Sequence, residues 1–271
     1  MCNRKISIKG LLLLGMFGSV SFSQIPGSID YAKLVSVMNS TSKSAVFIET
    51  PEKYGTGTFF GIPFSDTSSV SAVLIATAKH VLSRTDSLGK EIGLYKTATA
   101  TLMTTKGKKE VRKYELIYEA AKLDIAVLGP AETFRSFVEY DSYVPPLKDI
   151  ASFLEIEKGL TTFIAGFPFK IGLTATTMNP VIQSGIIAYV DTLGSLVLID
   201  IAVNLGNSGC PVYVATKEGV PKLLGLVFQY EPSREDVVFR ATIARPVPAN
   251  TSLGRVVLLK TIISDLKKMI Q

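Results

Sequence analysis

The feature that most constrains this fold is a series of short apolar runs, rich in β-branched and aromatic residues and separated by turn residues. Such runs predict β-strands, because these side chains suit a pleated sheet while Gly, Ser, Asp and Lys interrupt it. The first six runs are Ala45–Glu49, Thr56–Ile62, Ala72–Thr77, Thr99–Met103, Val111–Tyr118 and Ile125–Leu128. The next six are Thr161–Ala165, Val181–Val190, Leu196–Ile201, Pro211–Ala215, Leu223–Phe228 and Val237–Ile243.

Two sets of six strands predict an all-β fold of two antiparallel six-stranded β-barrels packed together. A closed barrel leaves no free sheet edge and needs no disulfide to close it. A polar stretch with Pro145 and Pro146 separates the two sets and is the best candidate for a linker. We therefore expect an N-terminal segment and the first barrel within residues 24–145, and the second barrel within residues 146–271.

Two segments have helical spacing. The first runs from Ile29 to Met38, and the second closes the chain. In the second, apolar residues recur at steps of three and four, at Val256, Leu259, Ile263, Leu266 and Ile270. This pattern predicts a C-terminal amphipathic helix that packs against the second barrel, in preference to one that lies on a membrane.

The N-terminus has the features of a signal peptide. Basic residues at the start precede a short apolar run, Gly10–Phe22, and small residues flank Phe22 just before Gln24. The run is shorter than the ~20 residues of a spanning helix, so a cleaved signal over residues 1–23 is preferred to an uncleaved membrane tether. We expect an exported protein, periplasmic or extracellular, that begins near Gln24 and has no stable membrane insertion.

Charge and cysteine content exclude several classes of protein. Three of the 29 basic residues and no acidic residue lie in the signal, so the formal charge falls from +6 to +3 on its removal. The basic run at 106–109 is too short for a nucleic-acid surface and is expected at a hairpin tip. Removal of Cys2 leaves Cys210 without a partner for an internal disulfide. One histidine and one cysteine do not supply the usual zinc ligands, although carboxylates stay open as ligands for harder cations. We expect no metal or cofactor.

Three segments carry residue types that together perform nucleophilic catalysis. The only histidine, His80, is followed along the chain by Asp124 and then by Ser208. The segments are Ala76–Val81, Leu123–Ala126 and Gly206–Pro211. A serine hydroxyl needs a base to take its proton and an acid to orient that base. The backbone N–H groups of Gly206 and Ser208 are candidates for an oxyanion hole, because glycine has no side chain to block the approach.

Each of these residues also has a plain structural interpretation. A lone histidine is commonly a core or surface residue, an aspartate can cap a turn, and Gly206-Asn207 is an ordinary turn sequence. Taken singly, the structural interpretations are preferred. Three segments in the order His, Asp, Ser around the only histidine favour a catalytic triad of His80, Asp124 and Ser208.

Several segments resemble a known family. They are Gly55–Phe59, Thr77–Val81, Asp124–Val127, Gln183–Ile187 and Asn204–Gly209. With them the chain resembles trypsin-like serine peptidases of the double β-barrel (chymotrypsin) fold, and it is most similar to bacterial high-temperature-requirement (Deg-type) protease domains. The resemblance covers nearly all of the chain after the signal. It implies a secreted serine protease, a hydrolase that cleaves polypeptides through an acyl-enzyme.

The resemblance also implies a substrate pocket. Ala202 lies where the floor of the primary pocket would be, and it is not an acid, so a preference for Arg or Lys is not expected. Leu226, Val227 and Phe228 resemble the strand that pairs with substrate and suggest an apolar pocket. We expect cleavage after small or medium aliphatic residues.

The chain departs from the family at two positions beside the nucleophile. Cys210 stands where the family usually has glycine or another small residue, and Ser208 rather than Cys210 matches the family's nucleophile. Asn207 replaces the aspartate that pairs with a newly cut amino terminus in zymogen-activated relatives, which argues against activation by such a cut. The chain ends after the predicted helix, so the peptide-binding domain of many Deg-type proteins is not expected. The sequence leaves open whether the protein forms a homo-oligomer.

Two alternatives to an active protease remain at this stage. A catalytically silent or latent double-barrel protein would bind peptides or another protein, and a poorly formed oxyanion loop beside Cys210 would favour it. Retention of the signal would instead tether the same domain to a membrane.

Overall fold

The computed structural model describes residues 31–65, 68, 71–131, 137–191, 196–216, 221–235 and 247–270. The predicted signal over residues 1–23, the expected start at Gln24 and the predicted strand Val237–Ile243 lie outside these residues.

The first half of the described chain forms a closed antiparallel barrel. Its strands have the order β1-β2-β3-β8-β7-β6, and β4 and β5 form a small separate sheet. The strands are β1 (Ala45–Glu49), β2 (Tyr54–Pro63), β3 (Ser71–Thr77), β4 (Ser83–Thr85), β5 (Glu91–Leu94), β6 (Thr97–Met103), β7 (Lys109–Glu119) and β8 (Ala126–Pro130). The small sheet was not predicted from the sequence.

The second half forms another closed antiparallel barrel, with the order β10-β11-β14-β13-β12-β9. Its strands are β9 (Thr161–Gly166), β10 (Val181–Val190), β11 (Val197–Asp200), β12 (Pro211–Ala215), β13 (Pro221–Glu235) and β14 (Val247–Leu258). The prediction of two six-stranded barrels is confirmed.

Within the described residues, two α-helices flank the barrels, α1 (Tyr31–Ser42) and α2 (Lys260–Ile270). The predicted C-terminal helix is confirmed, and its Ile262, Ile263 and Leu266 are buried. Its predicted start was wrong, because Val256 belongs to β14 and pairs with Val197 of β11. In the part of the chain that the structure describes, neither helix is long and apolar enough to cross a membrane.

Short 3-10 turns occupy several connections between strands. They are Lys79–Val81, Phe137–Glu139, Leu147–Asp149, Phe153–Glu155 and Pro168–Lys170. The first and the last of these flank the candidate site described below.

The two barrels share a core. Successive residues of a strand point to opposite faces, so Phe59 packs inside the first barrel while Phe60 packs with Phe163 and Tyr213 of the second. The Phe163 and Tyr213 rings stack with centroids 5.2 Å apart. The Tyr213 hydroxyl also donates to Ser44 Oγ at 2.8 Å, just before β1. The shared core fixes the loops of one barrel against those of the other.

Candidate active site

His80 lies in the 3-10 turn that follows β3 of the first barrel. Its neighbour Val81 is buried and anchors the turn, whereas the His80 side chain is 42% exposed. The His80 carbonyl accepts hydrogen bonds from Ser83 Oγ at 2.9 Å and from Lys53 Nζ at 3.2 Å. The backbone of His80 is therefore held in place while its ring stays open to the cleft.

Asp124 lies in the turn before β8 and contacts His80 twice. Its Oδ2 is 2.6 Å from His80 Nδ1, and its Oδ1 accepts the His80 backbone N–H at 2.9 Å. Burial of the carboxyl raises its pKa, but the hydrogen bonds and charge of His80 outweigh burial, so the pKa of Asp124 lies below its usual value. The carboxylate form is thus favoured at neutral pH.

Ser208 lies between β11 and β12 of the second barrel. Its Oγ is 2.8 Å from His80 Nε2. The structure therefore brings the three predicted residues into one hydrogen-bonded series, in which Asp124 and His80 come from one barrel and Ser208 from the other. This is the geometry in which an imidazole can take the proton of a serine hydroxyl.

Two glycines set the shape of the loop predicted to carry the oxyanion hole, residues 204–209, which we call the oxyanion loop. Gly206 has φ +98° and Gly209 has φ +87°, in the left-handed region that favours glycine. A Cβ on Gly206 would lie 2.4 Å from the Phe167 carbonyl oxygen, and one on Gly209 would lie 1.8 Å from the Thr56 carbonyl oxygen. Neither position has room for a side chain.

Hydrogen bonds to two carbonyls orient the N–H groups of this loop. The Leu205 carbonyl accepts the Phe169 N–H at 2.7 Å, and the Asn207 carbonyl accepts the Cys210 N–H at 2.9 Å. In a planar trans peptide the N–H points away from the C=O, so the N–H groups of Gly206 and Ser208 turn away from these partners. Among the described residues neither N–H has a hydrogen-bond acceptor, which leaves both for an oxygen atom from outside the protein.

Sequence analysis missed Thr56, which joins the first barrel to the oxyanion loop. It is fully buried. Its Oγ1 donates to the Gly206 carbonyl at 2.7 Å and accepts the Phe167 N–H at 3.2 Å, and its own N–H donates to the Ser208 carbonyl at 2.8 Å. Thr56 lies in the Gly-Thr-Gly segment that carries the resemblance, but nothing in that pattern indicates a contact with residues 206–208.

Asn207 is held by a second residue that the sequence did not single out. Its Nδ2 donates to Gln183 Oε1 at 3.1 Å, and Gln183 Nε2 donates in turn to the Ala202 carbonyl at 3.2 Å. Asn207 is buried and Ala202 is half-buried. Gln183 of β10 thus links the oxyanion loop to the predicted pocket floor through neutral amides.

The predicted substrate-binding residues occupy different environments. Ala202 is half-buried, whereas Leu226 and Val227 are fully buried in the cores. The Val227 carbonyl accepts the Gly209 N–H at 2.6 Å and its N–H donates to the Cys210 carbonyl at 3.0 Å. The side chains of Leu226 and Val227 therefore lie in the core beneath the site. The exposed part of β13 begins further along the strand.

Cys210 is a buried free cysteine. Burial raises the pKa of its thiol to about 12, so the thiol stays protonated and is a poor nucleophile. Within the described ranges, no group of three or more His, Cys, Asp or Glu side chains is placed to hold a metal ion.

Comparison with known families agrees with this geometry. The family model for the trypsin-like peptidase domain matches residues 55–220, a span that includes His80, Asp124 and Ser208. No curated protein sequence matches the chain.

Three of the solved structures with a similar fold are compared with the chain. The serine endoprotease from Yersinia pestis has a TM-score of 0.53 and 18% identity, over 89% of this chain and 66% of that one. Deg5 has a TM-score of 0.54 and 17% identity, over 86% of this chain and 92% of that one. The HtrA-type protease AlgW with a tripeptide has a TM-score of 0.52 and 16% identity, over 89% of this chain and 64% of that one. At these identities the likeness is one of fold.

Proposed function

Because the chain belongs to the family of trypsin-like peptidase domains, we propose that it is a serine endopeptidase with Ser208 as its nucleophile. The observation that carries the proposal is the continuous series from Ser208 Oγ through His80 to Asp124, with contacts of 2.8 and 2.6 Å. With these contacts the three side chains are already placed for acyl transfer to Ser208.

In the first half-reaction, Ser208 Oγ attacks the carbonyl carbon of the scissile peptide bond while His80 Nε2 takes the hydroxyl proton. The carbonyl oxygen gains the negative charge and accepts hydrogen bonds from the N–H groups of Gly206 and Ser208. The bond from carbon to nitrogen then breaks. The leaving amine takes the proton from His80, and an acyl group remains on Ser208.

In the second half-reaction, water replaces the amine. His80 Nε2 takes a proton from the water as its oxygen attacks the acyl carbon, and then returns the proton to Ser208 Oγ as the ester breaks. The product acid leaves and the starting state is restored. Because each half-reaction moves one proton through His80, a single imidazole serves as both base and acid.

Asp124 supports both steps without a change in its own protonation. The hydrogen bond between His80 Nδ1 and Asp124 Oδ2 keeps the proton of the neutral imidazole on Nδ1, so that Nε2 is free to accept a proton. The bond from the His80 backbone N–H to Oδ1 orients the carboxylate. The lowered pKa of Asp124 keeps the carboxylate charged, and that charge stabilises the imidazolium that forms.

We propose polypeptides as substrates, with cleavage after small or medium aliphatic residues. The absence of an acidic side chain at Ala202 supports this preference, since a buried Arg or Lys would need a partner charge. Proteins of similar fold include a serine endoprotease and an HtrA-type protease with a tripeptide. Cleavage mainly after Lys or Arg in a peptide library would contradict the preference.

Two further parts of the proposal concern the chain outside the site. The basic and apolar pattern of residues 1–23 supports export to the periplasm or the extracellular space, which N-terminal sequencing of the processed protein tests. The paired prolines support a division between residues 24–145 and 146–271 into two parts of one peptidase domain.

The nucleophile is tested by labelling the purified protein with a fluorophosphonate, beside Ser208→Ala and His80→Ala. We expect the wild type to be labelled and both variants to remain unlabelled, because phosphonylation needs an activated serine. No labelling of folded wild type would contradict an active protease and would favour a latent or silent protein that binds peptides or another protein.

A further inference from the structure

The turn beside the oxyanion loop adopts an unusual backbone conformation. Phe169 and Lys170 have φ values of +50° and +60°, in the left-handed region that side chains other than glycine rarely occupy. Two such residues in succession require surrounding contacts that hold them there. The Phe169 side chain is 57% exposed, so its packing supplies little of that support.

This turn has a direct effect on the oxyanion loop. The Phe169 N–H donates to the Leu205 carbonyl at 2.7 Å. That carbonyl belongs to the same peptide as the Gly206 N–H, so the hydrogen bond fixes the direction of both groups. A change of φ and ψ at Phe169 would reorient the Pro168–Phe169 peptide, which carries this N–H, relative to Lys170, and the Leu205–Gly206 peptide could then rotate.

The side chain of Lys170 ties the turn to the first barrel. Its Nζ lies 3.0 Å from Glu49 Oε1, at the end of β1. The same Nζ lies 4.6 Å from the ring centroid of Tyr54, at the start of β2, and 5.6 Å from that of Phe47. An ammonium group at these distances is attracted by the ring faces as well as by the carboxylate.

Aromatic packing beneath this cation makes the β1–β2 hairpin a firm anchor. Phe47 meets Phe167 edge to face with centroids 5.9 Å apart, and both residues are buried. Phe167 immediately precedes the turn. The hairpin and the turn therefore pack together through Phe47 and Phe167, and Lys170 adds a second contact on the solvent side.

We propose that Lys170 is a positioning residue for catalysis. Its side chain, with Glu49 and Tyr54, holds the left-handed turn at Phe169 and so keeps the Gly206 N–H directed at the substrate oxyanion. This inference rests on the proposed function of the Ser208 site. It assigns to the β1–β2 hairpin of one barrel the control of a backbone donor in the other.

The first test compares Lys170→Ala and Lys170→Arg with the wild type, using an aliphatic peptide substrate. Complete loss of one oxyanion donor costs about 10²–10³ in rate, so partial loss in Lys170→Ala is expected to lower kcat by roughly 10-fold or more. KM should change much less, because the donor acts on the transition state. Arg keeps a cation that pairs with carboxylates and stacks on rings, so Lys170→Arg should recover most of kcat.

Lys43→Ala is the matched control. Lys43 pairs with Asp141 at 2.7 Å and its side chain is 47% exposed, as is that of Lys170. Loss of that pair should leave kcat near the wild-type value. Unchanged kcat in Lys170→Ala, or an equal fall in Lys43→Ala, would overturn the proposal.

Lys170→Gly distinguishes the effect of the lost side chain from the effect of backbone strain. Glycine adopts positive φ without strain, so the turn should persist in part even without the ammonium group. We expect Lys170→Gly to retain more activity than Lys170→Ala. Equal losses in the two variants would overturn the claim that the side chain opposes backbone strain.

Amide hydrogen exchange gives a readout that does not depend on catalysis. In Lys170→Ala, exchange should become faster in the peptides that cover residues 166–172 and 204–209, and Lys43→Ala should leave both unchanged. Unchanged exchange there would overturn the proposal. If the wild type neither labels nor hydrolyses peptides, the proposed function fails, and the exchange result still decides the role of Lys170.

Discussion

The Sγ of Cys210 fills the space that a side chain on Gly166 would need. A Cβ on Gly166 would lie 1.9 Å from that sulfur and 3.0 Å from Thr56 Oγ1. Gly166 ends β9, and Cys210 follows the oxyanion loop. The Cys210 sulfur is thus accommodated by a glycine on the neighbouring strand.

Gly166→Ala should destabilise the protein by about 1–3 kcal/mol or more, because the new methyl group overlaps a buried sulfur. Cys210→Gly alone removes a buried side chain and should also destabilise, by about 1–3 kcal/mol. In the double variant the overlap is relieved, so its loss should be smaller than the two single losses together. Urea unfolding of all four proteins measures this coupling.

Additive losses in this cycle would contradict the steric relationship between the two residues. A suitable control is Gly159→Ala. Gly159 has positive φ, but among the described residues other than its two chain neighbours no heavy atom lies within 4 Å of the position of its Cβ. Its cost reflects backbone conformation alone and should not depend on residue 210.

Thr56→Val should lower kcat. The valine has nearly the shape of threonine but removes the donor to the Gly206 carbonyl and the acceptor for the Phe167 N–H. Each buried group left unpaired costs about 1–3 kcal/mol, and both border the oxyanion loop. Steady-state kinetics on a peptide substrate should show the fall mainly in kcat.

Thr56→Ser provides the control for this prediction, because it keeps the hydroxyl and removes only a methyl group. Its kcat should lie close to that of the wild type. A Thr56→Val enzyme with full kcat would show that the carbonyl of Gly206 does not need this donor.

Strand boundaries could be predicted from the sequence where turn residues mark both ends. The runs at β1, β10 and β12 agree with the structure to the residue. The C-terminal end of β14 could not be predicted, since Val256 also fits the apolar spacing of the helix that follows. What decides it is pairing with Val197 and Val227, which lie far away in the sequence.

The same distinction applies to the candidate site. His80, Asp124 and Ser208 could be singled out because their side chains carry the chemistry and the histidine is unique. Thr56 and Phe169 act through backbone groups or a common hydroxyl, and their partners lie 150 and 36 residues away. A pattern of residue types carries no signal for such contacts.

Acid should weaken one contact between the second barrel and the segment that precedes it. Glu155 has its pKa lowered to about 2, first by the hydrogen bond from Lys222 and then by the N–H and hydroxyl of Ser152. A carboxyl with a lowered folded pKa stabilises the fold above its unfolded pKa, and this contribution is lost as the pH falls towards the folded value. Glu155→Gln should therefore reduce the free energy of unfolding at pH 7 but not near pH 2.

Urea unfolding of wild type and Glu155→Gln between pH 7 and pH 2 measures this difference. It should be constant above about pH 5.5, since the ordinary pKa of the group is 4.5, and should shrink below it. Lys222→Met removes the main hydrogen-bond donor to Glu155, so the free energy of unfolding should depend less on pH over the same range. A difference that stays constant down to pH 2 would contradict the assignment.

Gln183 should affect the oxyanion loop and the predicted pocket floor at Ala202 separately. Gln183→Leu leaves the buried Nδ2 of Asn207 without its acceptor and is expected to lower kcat by about 10-fold. Gln183→Glu keeps an oxygen for Asn207 but has no N–H for the Ala202 carbonyl, so near neutral pH it should retain more kcat and raise KM. Equal effects of both variants on kcat would mean that Gln183 acts only by filling space.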